Sequence, residues 1–219
     1  MGTVLITGAN RGIGLELARQ LSARGDTVIA LCRTASSELR DLGVRVFENV
    51  DVTDREALER VSRDLGETNV DVLINNAGIM LDEQFPDLDF DAIRKQIEVN
   101  TLGPLLVLSA LRHHLQPGSK AVFVTSRMGS IGDNQSGGYY GYRMSKAALN
   151  MAAVNLAHDL RTAKISVAVL HPGMVATRMT GRHGIPPEEA AQGLIARMNE
   201  LTLATSGGFW HANGERLPW

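Results

Sequence analysis

Short apolar runs alternate with longer amphipathic stretches along the whole chain of 219 residues. Runs rich in β-branched residues predict strands, and apolar residues at helical spacing predict helices. Strands are predicted near 3–7, 27–31, 44–50, 70–74, 119–125, 165–171 and 207–210. Helices are predicted near 12–24, 54–65, 88–114, 139–162 and 187–203, with a weaker one around 36–41. This alternation predicts parallel βαβ units, which build an α/β protein.

The first predicted strand, Thr3 to Thr7, leads directly into the glycine-rich segment Gly8-Ala9-Asn10-Arg11-Gly12-Ile13-Gly14. Apolar residues at helical spacing follow this segment, so the order is strand, glycine turn and helix. Such a turn lets the backbone approach a pyrophosphate, and the helix N-terminus offers unpaired N–H groups to the anion. The segment therefore predicts a dinucleotide site, although three glycines this close also fit a simple tight turn.

No repeat, low-complexity segment or linker divides the chain. We therefore expect a single Rossmann-type domain over residues 1–219, with a doubly wound parallel sheet of about seven strands and helices on both faces. The dinucleotide site is expected mainly in residues 1–100. The catalytic and substrate-binding part is expected in residues 100–219.

Composition excludes several classes of protein. A net charge of −2 gives no electrostatic reason to expect nucleic acid, and no apolar run approaches the ~20 residues of a membrane span. The first predicted strand begins at residue 3, so we expect no secretory signal. The only cysteine, Cys32, forms no internal disulfide and fits a reducing compartment, which makes the cytoplasm the expected location. No metal site is expected.

Tyr142 and Lys146 lie four residues apart in the predicted helix 139–162, which places both side chains on one face. A cation within about 4–6 Å lowers the pKa of a phenol, typically by about 1–3 units. We therefore expect Lys146 to bring the Tyr142 pKa towards the range that suits acid–base catalysis. Taken alone, the pair also fits an amphipathic helix with a solvated lysine.

Five motifs follow one another along the chain: Gly8-x-x-x-Gly12-x-Gly14, Asn75-Asn76-Ala77-Gly78, Ser126, Tyr142-x-x-x-Lys146 and Pro172-Gly173-Met174-Val175-Ala176-Thr177. In this order they resemble the short-chain dehydrogenase/reductase family over nearly the whole sequence. The tail from Gly207 to Trp219 is similar to the branch that contains sniffer-type carbonyl reductases and C-factor-like proteins.

The resemblance implies roles for a catalytic set. Tyr142 is expected to be the general acid and base, and Lys146 to hold the nicotinamide ribose as well. Ser126 is expected to stabilise charge on the substrate oxygen, and Asn100 to anchor a proton-relay water. Asn100 equally fits a buried helix asparagine bonded to backbone. The segment between Ser126 and Tyr142 is longer than is usual in the family, which makes Ser130 a rival for the serine role.

The resemblance also implies cofactor contacts beyond the catalytic pair and the glycine segment. They are Asp51, Val52, Asn76, Ala77, Gly78, Pro172, Gly173, Val175 and Thr177. Most follow predicted strands, and the carboxyl ends of parallel strands are where such sheets bind ligands. Asp51 fits equally well as part of a helix N-cap pair with Asp54. The segment 75–78 also fits an ordinary turn rich in Asn and Gly.

The identity of the cofactor depends on the end of the second predicted strand. An NAD site usually places an acidic residue there, whereas this chain has Arg33. A guanidinium binds a 2′-phosphate through charge-assisted bonds, and Arg11 is a second basic group on the same side. We therefore expect NADP(H) to be preferred, with NAD(H) as the alternative cofactor. Both arginines also fit a solvated surface.

These residues predict an NADP(H)-dependent oxidoreductase that interconverts a carbonyl and an alcohol on a small molecule. Few residues separate Thr177 from Pro186, which predicts an open substrate cleft. Two alternatives stay open: a C-factor-like signalling or regulatory protein with little turnover, and an NAD-linked alcohol dehydrogenase.

A homodimer is expected through the helices near 88–114 and 139–162, whose small and apolar residues also fit burial against the sheet.

Overall fold

The computed structural model describes residues 1–219. Its strands are β1 (Thr3–Thr7), β2 (Thr27–Leu31), β3 (Arg45–Phe47), β4 (Val72–Asn75), β5 (Lys120–Val124), β6 (Ser166–His171) and β7 (Phe209–His211). Its α-helices are α1 (Gly12–Ala23), α2 (Ser37–Asp41), α3 (Arg55–Leu65), α4 (Phe90–Ile97), α5 (Gly103–Leu111), α6 (Tyr140–Asp159) and α7 (Pro187–Glu200).

The seven strands form one sheet in the order β3-β2-β1-β4-β5-β6-β7, and every pairing is parallel. The chain winds outwards from β1 in one direction and from β4 in the other. The strand order therefore reverses between β1 and β4, which opens a crevice at the carboxyl ends of the strands. This topology confirms the predicted doubly wound α/β fold.

Helices cover both faces of the sheet, because side chains alternate along each strand. Leu5 of β1 belongs to a core with α3, α5 and α6, whereas its neighbours Val4 and Ile6 belong to a second core with α1 and α7. With both faces buried, the strands read as continuous apolar runs. No helix combines the length and the apolar character needed to cross a bilayer.

The continuous helix predicted over 88–114 is wrong, because this stretch is divided. A π-helical turn, Glu98–Leu102, separates α4 from α5, and a 3₁₀ turn follows at Arg112–His114. Gly103 begins α5 in close contact with Val52, where a Cβ on the glycine would lie 2.9 Å from Cγ2 of the valine. π-turns of this kind are frequent at functional sites.

The C-terminal residues turn back along β7. The N–H of Leu217 donates to the carbonyl oxygen of Phe209 at 2.9 Å, and the N–H of His211 donates to that of Glu215 at 2.8 Å. The rings of Phe209 and Trp219 stack with their centroids 5.2 Å apart. The tail therefore covers the outer edge of the sheet and ends near the loop that follows β5.

Candidate active site

Glycines shape the loop between β1 and α1. Gly8 and Gly12 have φ values of +66° and +54°, a region that favours glycine. A Cβ on Gly8 would lie 3.0 Å from Cα of Ala77, and one on Gly14 would lie 3.0 Å from Cα of Ala9. The loop therefore packs against itself and against the segment after β4, with no room for a side chain at Gly8 or Gly14.

The first turn of α1 is open to a ligand. Arg11 precedes the helix with an exposed side chain, and no side chain caps the N–H groups at this end. Ile13 packs against the core on the α1 side, while Asn10 donates from Nδ2 to the carbonyl oxygen of Thr34 at 2.8 Å. Uncapped N–H groups at a helix N-terminus form a ready anion site, so this end fits a pyrophosphate.

Arg33 and Asp51 face each other beyond the ends of β2 and β3. The Arg33 side chain is 70% exposed, and its Nη1 lies 4.0 Å from Oδ2 of Asp51. Burial by itself raises the Asp51 pKa, but hydrogen bonds from Thr53 and the charge of Arg33 lower it overall. Asp54, not Asp51, caps α3 by accepting from the N–H of Ala57 at 3.1 Å. Asp51 therefore stays available at the rim of the crevice.

Val52 follows Asp51 into the interior, where it is buried against Gly103. Its side chain belongs to the core that contains α3, α5 and α6. Any contact of Val52 with a ligand would therefore come from its backbone.

A small set of hydrogen bonds joins the loop after β1 to the loop after β4. The Nδ2 group of Asn76 donates to the carbonyl oxygens of Thr7 at 3.0 Å and Gly8 at 3.2 Å. The N–H groups of Asn76 and Ala77 donate to Oγ1 of Thr7 at 3.0 and 3.1 Å. Thr7 is not among the site residues predicted from the sequence, although its position directly before the glycines is a usable signal. The side chain of Asn76 thus holds the loop in shape.

Asn100 lies in the π-helical turn and is fully buried. Its Oδ1 accepts from the N–H of Ile79 at 2.8 Å, and its Nδ2 donates to the Ile79 carbonyl oxygen at 2.8 Å and to Oγ of Ser145 at 3.0 Å. Ser145 in turn donates to the carbonyl oxygen of Tyr142 at 2.8 Å. Gly78 packs against Asn100, since a Cβ on this glycine would be 3.2 Å from Oδ1 of Asn100. Asn100 therefore ties the β4 loop to α6.

Tyr142 and Lys146 lie one turn apart in α6, and both are buried. The Lys146 Nζ donates to the carbonyl oxygen of Val124 at 3.0 Å and lies 5.9 Å from the centroid of the Tyr142 ring. Val124 ends β5, so the ammonium is anchored at the carboxyl edge of the sheet. The predicted pair is therefore brought together in the crevice.

Burial dominates the ionisation of this pair. It raises the Tyr142 pKa to about 12, against a smaller opposite effect of a hydrogen bond from Ser126, and it lowers the Lys146 pKa to about 8. The predicted lowering of the Tyr142 pKa is wrong. The ammonium is fixed to the Val124 carbonyl, and the loss of water around the phenol outweighs its attraction.

Ser126 and Ser130 differ in how their hydroxyl groups are used. Ser126 follows β5, and its Oγ accepts from the N–H of Met128 at 3.1 Å. The Oγ of Ser130 donates to the backbone oxygen of Trp219 at 2.9 Å and accepts from the N–H of Asp133 at 3.1 Å. The proton of the Ser126 hydroxyl remains free to point towards Tyr142, whereas that of Ser130 is taken by the tail.

Two arginines that are not among the predicted site residues hold the loop over residues 127–138 in place. The Nε of Arg143 donates to the carbonyl oxygens of Gly137 and Gly138, both at 3.1 Å. Arg127 pairs with Asp133 at 3.1 Å and with Glu215 of the tail at 2.8 Å. The loop is therefore a fixed wall of the crevice, bonded to both α6 and the tail.

The segment after β6 closes the same edge. Pro172 is buried, and Gly173 has a φ of +90°. Val175 is buried and forms a β-bridge with Ile185, which holds the short connection to α7 in a tight turn. Thr177 reaches the glycine loop, where its Cγ2 would lie 3.2 Å from a Cβ on Gly12.

The predicted site residues therefore meet along one edge of the sheet, at the carboxyl ends of its strands. A family model described as short chain dehydrogenase matches residues 2–185. The chain belongs to the short-chain dehydrogenase/reductase family, which confirms the resemblance seen in its motifs.

Two relatives sharpen the comparison. A 1-hydroxy-2-glutathionyl-2-methyl-3-butene dehydrogenase of Rhodococcus sp. strain AD45 is 48% identical over 226 residues, covering 100% of both chains. The C-signal protein of Myxococcus xanthus is 42% identical over 154 residues, covering 68% of this chain and 93% of that protein.

Solved structures agree with this placement. The carbonyl reductase Sniffer of D. melanogaster superposes with a TM-score of 0.93 at 28% identity, covering 100% of both chains. A carbonyl reductase from Pseudomonas aeruginosa PAO1 in complex with NADP superposes at 0.89 and 31% identity, again over 100% of both chains. The chain is thus an oxidoreductase of this family.

Proposed function

We propose that the protein interconverts a carbonyl and an alcohol with NADP(H), using Tyr142 as general acid and base. The observation that carries the proposal is the joint burial of Tyr142 and Lys146 beside Ser126, at the edge of the sheet that also holds the glycine loop. Burying a phenol and an ammonium costs solvation free energy. A protein that only held a nucleotide would gain nothing from that cost.

A bound nicotinamide would supply a hydride in reduction and accept one in oxidation. In reduction Tyr142 gives its proton to the substrate oxygen, and in oxidation it takes the proton back. A pKa raised to about 12 keeps that proton on the phenol at neutral pH. Ser126 donates a hydrogen bond to the same oxygen, where negative charge grows in the transition state.

The ammonium of Lys146 stabilises the Tyr142 phenolate that remains after the phenol has given up its proton. Its ammonium uses one N–H for the Val124 carbonyl, which leaves two donors for other partners such as a ribose hydroxyl. With a pKa of about 8 it is largely charged at neutral pH. The Nδ2 group of Asn76 and both polar ends of the Asn100 side chain form hydrogen bonds within the protein, so we assign these residues to shaping the site.

Two features support NADP(H) over NAD(H). The exposed guanidinium of Arg33 lies at the rim of the crevice, and Arg11, in the glycine loop, is exposed as well. Asp51 sits 4.0 Å from Arg33. A 2′-phosphate would find the Arg33 guanidinium there as a charge-assisted partner, and we propose Arg11 as a second one.

The direct test is a screen of aldehydes, ketones and quinones with NADPH, followed by Tyr142→Phe. We expect the variant to lose turnover by about 10²–10⁴-fold, the usual range for general acid–base catalysis, with cofactor affinity unchanged. Tyr140→Phe is the matched control, since Tyr140 has no lysine one turn on. A wild type that binds NADPH but turns over nothing would favour a regulatory role, as the similarity to C-signal would then imply.

The dehydrogenase from Rhodococcus, similar over its full length, favours a second candidate. In this case the substrate is an alcohol that carries a glutathionyl group, and the reaction is its oxidation. Rates with such a conjugate and with the same alcohol lacking glutathione, each with NADP⁺ and with NAD⁺, separate the candidates. Preference for the conjugate with NAD⁺ would replace the carbonyl reductase proposal.

We further propose a homodimer through α4, α5 and α6. Four large apolar side chains there are exposed: Phe90, Leu102, Met144 and Met151. Burying them against a second copy would remove apolar surface from water. Light scattering at assay concentration is expected to give twice the chain mass, and a monomer mass would refute the pairing.

A further inference from the structure

A buried carboxylate lies close to the catalytic helix. Glu83, in the loop between β4 and α4, is 2% exposed and takes part in none of the ion pairs. Its Oε2 accepts from the N–H of Gly141 at 3.2 Å, and its Oε1 accepts from Nε2 of Gln96. Its backbone carbonyl oxygen accepts from the N–H of Tyr139 at 3.2 Å. A carboxylate this deeply buried needs such partners.

These bonds complete a helix end that lacks a cap of its own. Tyr139, directly before α6, has a left-handed backbone with φ +50° and ψ +47°, and its side chain caps nothing. The first N–H groups of a helix have no partner inside the helix. Glu83 provides one for Gly141 from 58 residues away in the chain, and a negative group at this end also suits the helix dipole.

The packing around Gly141 leaves no room for a side chain at this position. A Cβ on Gly141 would lie 2.9 Å from Oε1 of Glu83 and 2.9 Å from Cα of Ile93. Gln96 is fully buried, and its Oε1 accepts from the N–H of Leu81 at 2.8 Å. The Gln96 amide therefore has a set orientation, with its NH₂ group towards Glu83.

We propose that Glu83 is a positioning residue, which caps α6 through Gly141 and thereby holds the adjacent Tyr142 in place for proton transfer. This inference rests on the proposed function for its effect on turnover. Its structural part, the anchoring of the first turn of α6, does not depend on that function. Glu83 forms no hydrogen bond with the side chain of Tyr142 or Ser126, so its action is through the helix.

Glu83→Gln tests the inference with almost no change of volume. The new amide has one acceptor and one NH₂ group, so either Gly141 or Gln96 loses its partner. Gln96 cannot turn over to compensate, because its oxygen is held by the N–H of Leu81. We expect kcat to fall by about 10–100-fold, since small misplacements of reacting groups cost this much. KM for NADPH is expected to stay within about 2-fold, because the glycine loop is not involved.

The double variant Glu83→Gln with Gln96→Glu exchanges the donor and the acceptor of the hydrogen bond between positions 83 and 96. The amide introduced at position 83 would then donate to the new carboxylate at position 96 and accept from Gly141. That carboxylate would also accept from Leu81, so the partners of Gly141 and Leu81 are restored, and only the long 3.4 Å bond from position 96 to the Ala92 carbonyl oxygen is lost. We expect the double variant to recover kcat to within about 3-fold of the wild type. Glu16→Gln, at another buried glutamate, on α1, is the matched control for stability and should leave kcat unchanged.

Amide hydrogen exchange provides a readout that needs no turnover. Exchange at Gly141 and Tyr142 should rise by about 10-fold or more in Glu83→Gln and return in the double variant. Wild-type kcat and unchanged exchange in Glu83→Gln would overturn the inference, as would a double variant no better than the single one. If the wild type turns over no substrate, the proposed function fails, and the exchange data alone decide whether Glu83 anchors the helix.

Discussion

The cofactor half and the catalytic half of the crevice are built in different ways. The loop between β1 and α1 takes its shape from its own glycines and from contacts with the adjacent β4 loop. The helix that carries the proposed proton donor is held by side-chain hydrogen bonds to other parts of the fold, through Asn100 to Ser145, Lys146 to Val124 and Glu83 to Gly141. The cofactor loop thus depends mainly on glycines that leave no room for side chains, whereas the placement of Tyr142 depends on polar side chains from other elements.

The wall beside the catalytic helix extends this contrast. Arg127 binds Glu215 of the tail, and Ser130 binds the backbone oxygen of Trp219. The last residues of the chain therefore stabilise the loop that follows the proposed catalytic serine. The tail therefore completes one side of the crevice.

The two serines give the largest expected effect on the catalytic half. Ser126→Ala should lower kcat by about 10²–10³-fold, as for other single donors to a developing oxyanion. Ser130→Ala should lower kcat by less than about 10-fold, because Ser130 only ties the loop to the tail. Steady-state kinetics on both variants make the measurement. A larger loss in Ser130→Ala would exchange their roles.

The stability of the protein in alkali should report the burial of Lys146. Its pKa is about 8 in the folded protein and 10.5 in the unfolded chain. The unfolded chain therefore binds more protons between these values, so stability rises with pH across this window. The gain is up to about 3 kcal/mol at about 1.4 kcal/mol per pKa unit.

Urea denaturation from about pH 8 to 10.5 measures this effect against Lys146→Met, which should show a smaller rise; some rise remains because burial lowers the pKa of Lys120 as well. Lys95→Met, at an exposed lysine on α4, is the control and should retain the full rise. If the stability of the wild type and of Lys146→Met depended on pH in the same way, the Lys146 ammonium would be solvated. The proposal of a buried Tyr142–Lys146 pair would then fail.

The sequence predicted the fold well because strands that are buried on both faces read as short continuous apolar runs, which alternate with amphipathic helices. It predicted the glycine loop because that motif is local in the sequence too. It missed Arg143 because its partners Gly137 and Gly138 lie in a loop without regular structure. It missed Thr7 and Glu83, since each works through partners that only the folded chain brings near. The wrong direction for the Tyr142 pKa has this cause too, because helical spacing shows that Lys146 is near but not that water is excluded.

Gly14→Ala tests whether the cofactor loop depends on the lack of side chains at its glycines. The added Cβ would lie 3.0 Å from Cα of Ala9 and closer still to the Gly8 carbonyl oxygen, so the loop must shift. We expect a loss of about 1–3 kcal/mol in stability, as for other overpacked sites, and weaker NADPH binding by titration calorimetry. Gly43→Ala, strained at φ +66° but with open space around it, should lower stability while leaving the cofactor affinity unchanged.

Arg33→Ala should produce the smallest effect and the most selective one. The exposed guanidinium has Asp51 as its only ionic neighbour, at 4.0 Å, so its removal disturbs no packing. We expect kcat/KM with NADPH to fall about 10-fold, the size of one charge-assisted bond, while kcat/KM with NADH stays the same. Arg94→Ala, paired with Asp91 on the surface of α4, controls for the loss of one positive charge. An equal fall with both cofactors would remove the basis for NADP(H) preference, and a wild type that uses NADH as well as NADPH would do the same.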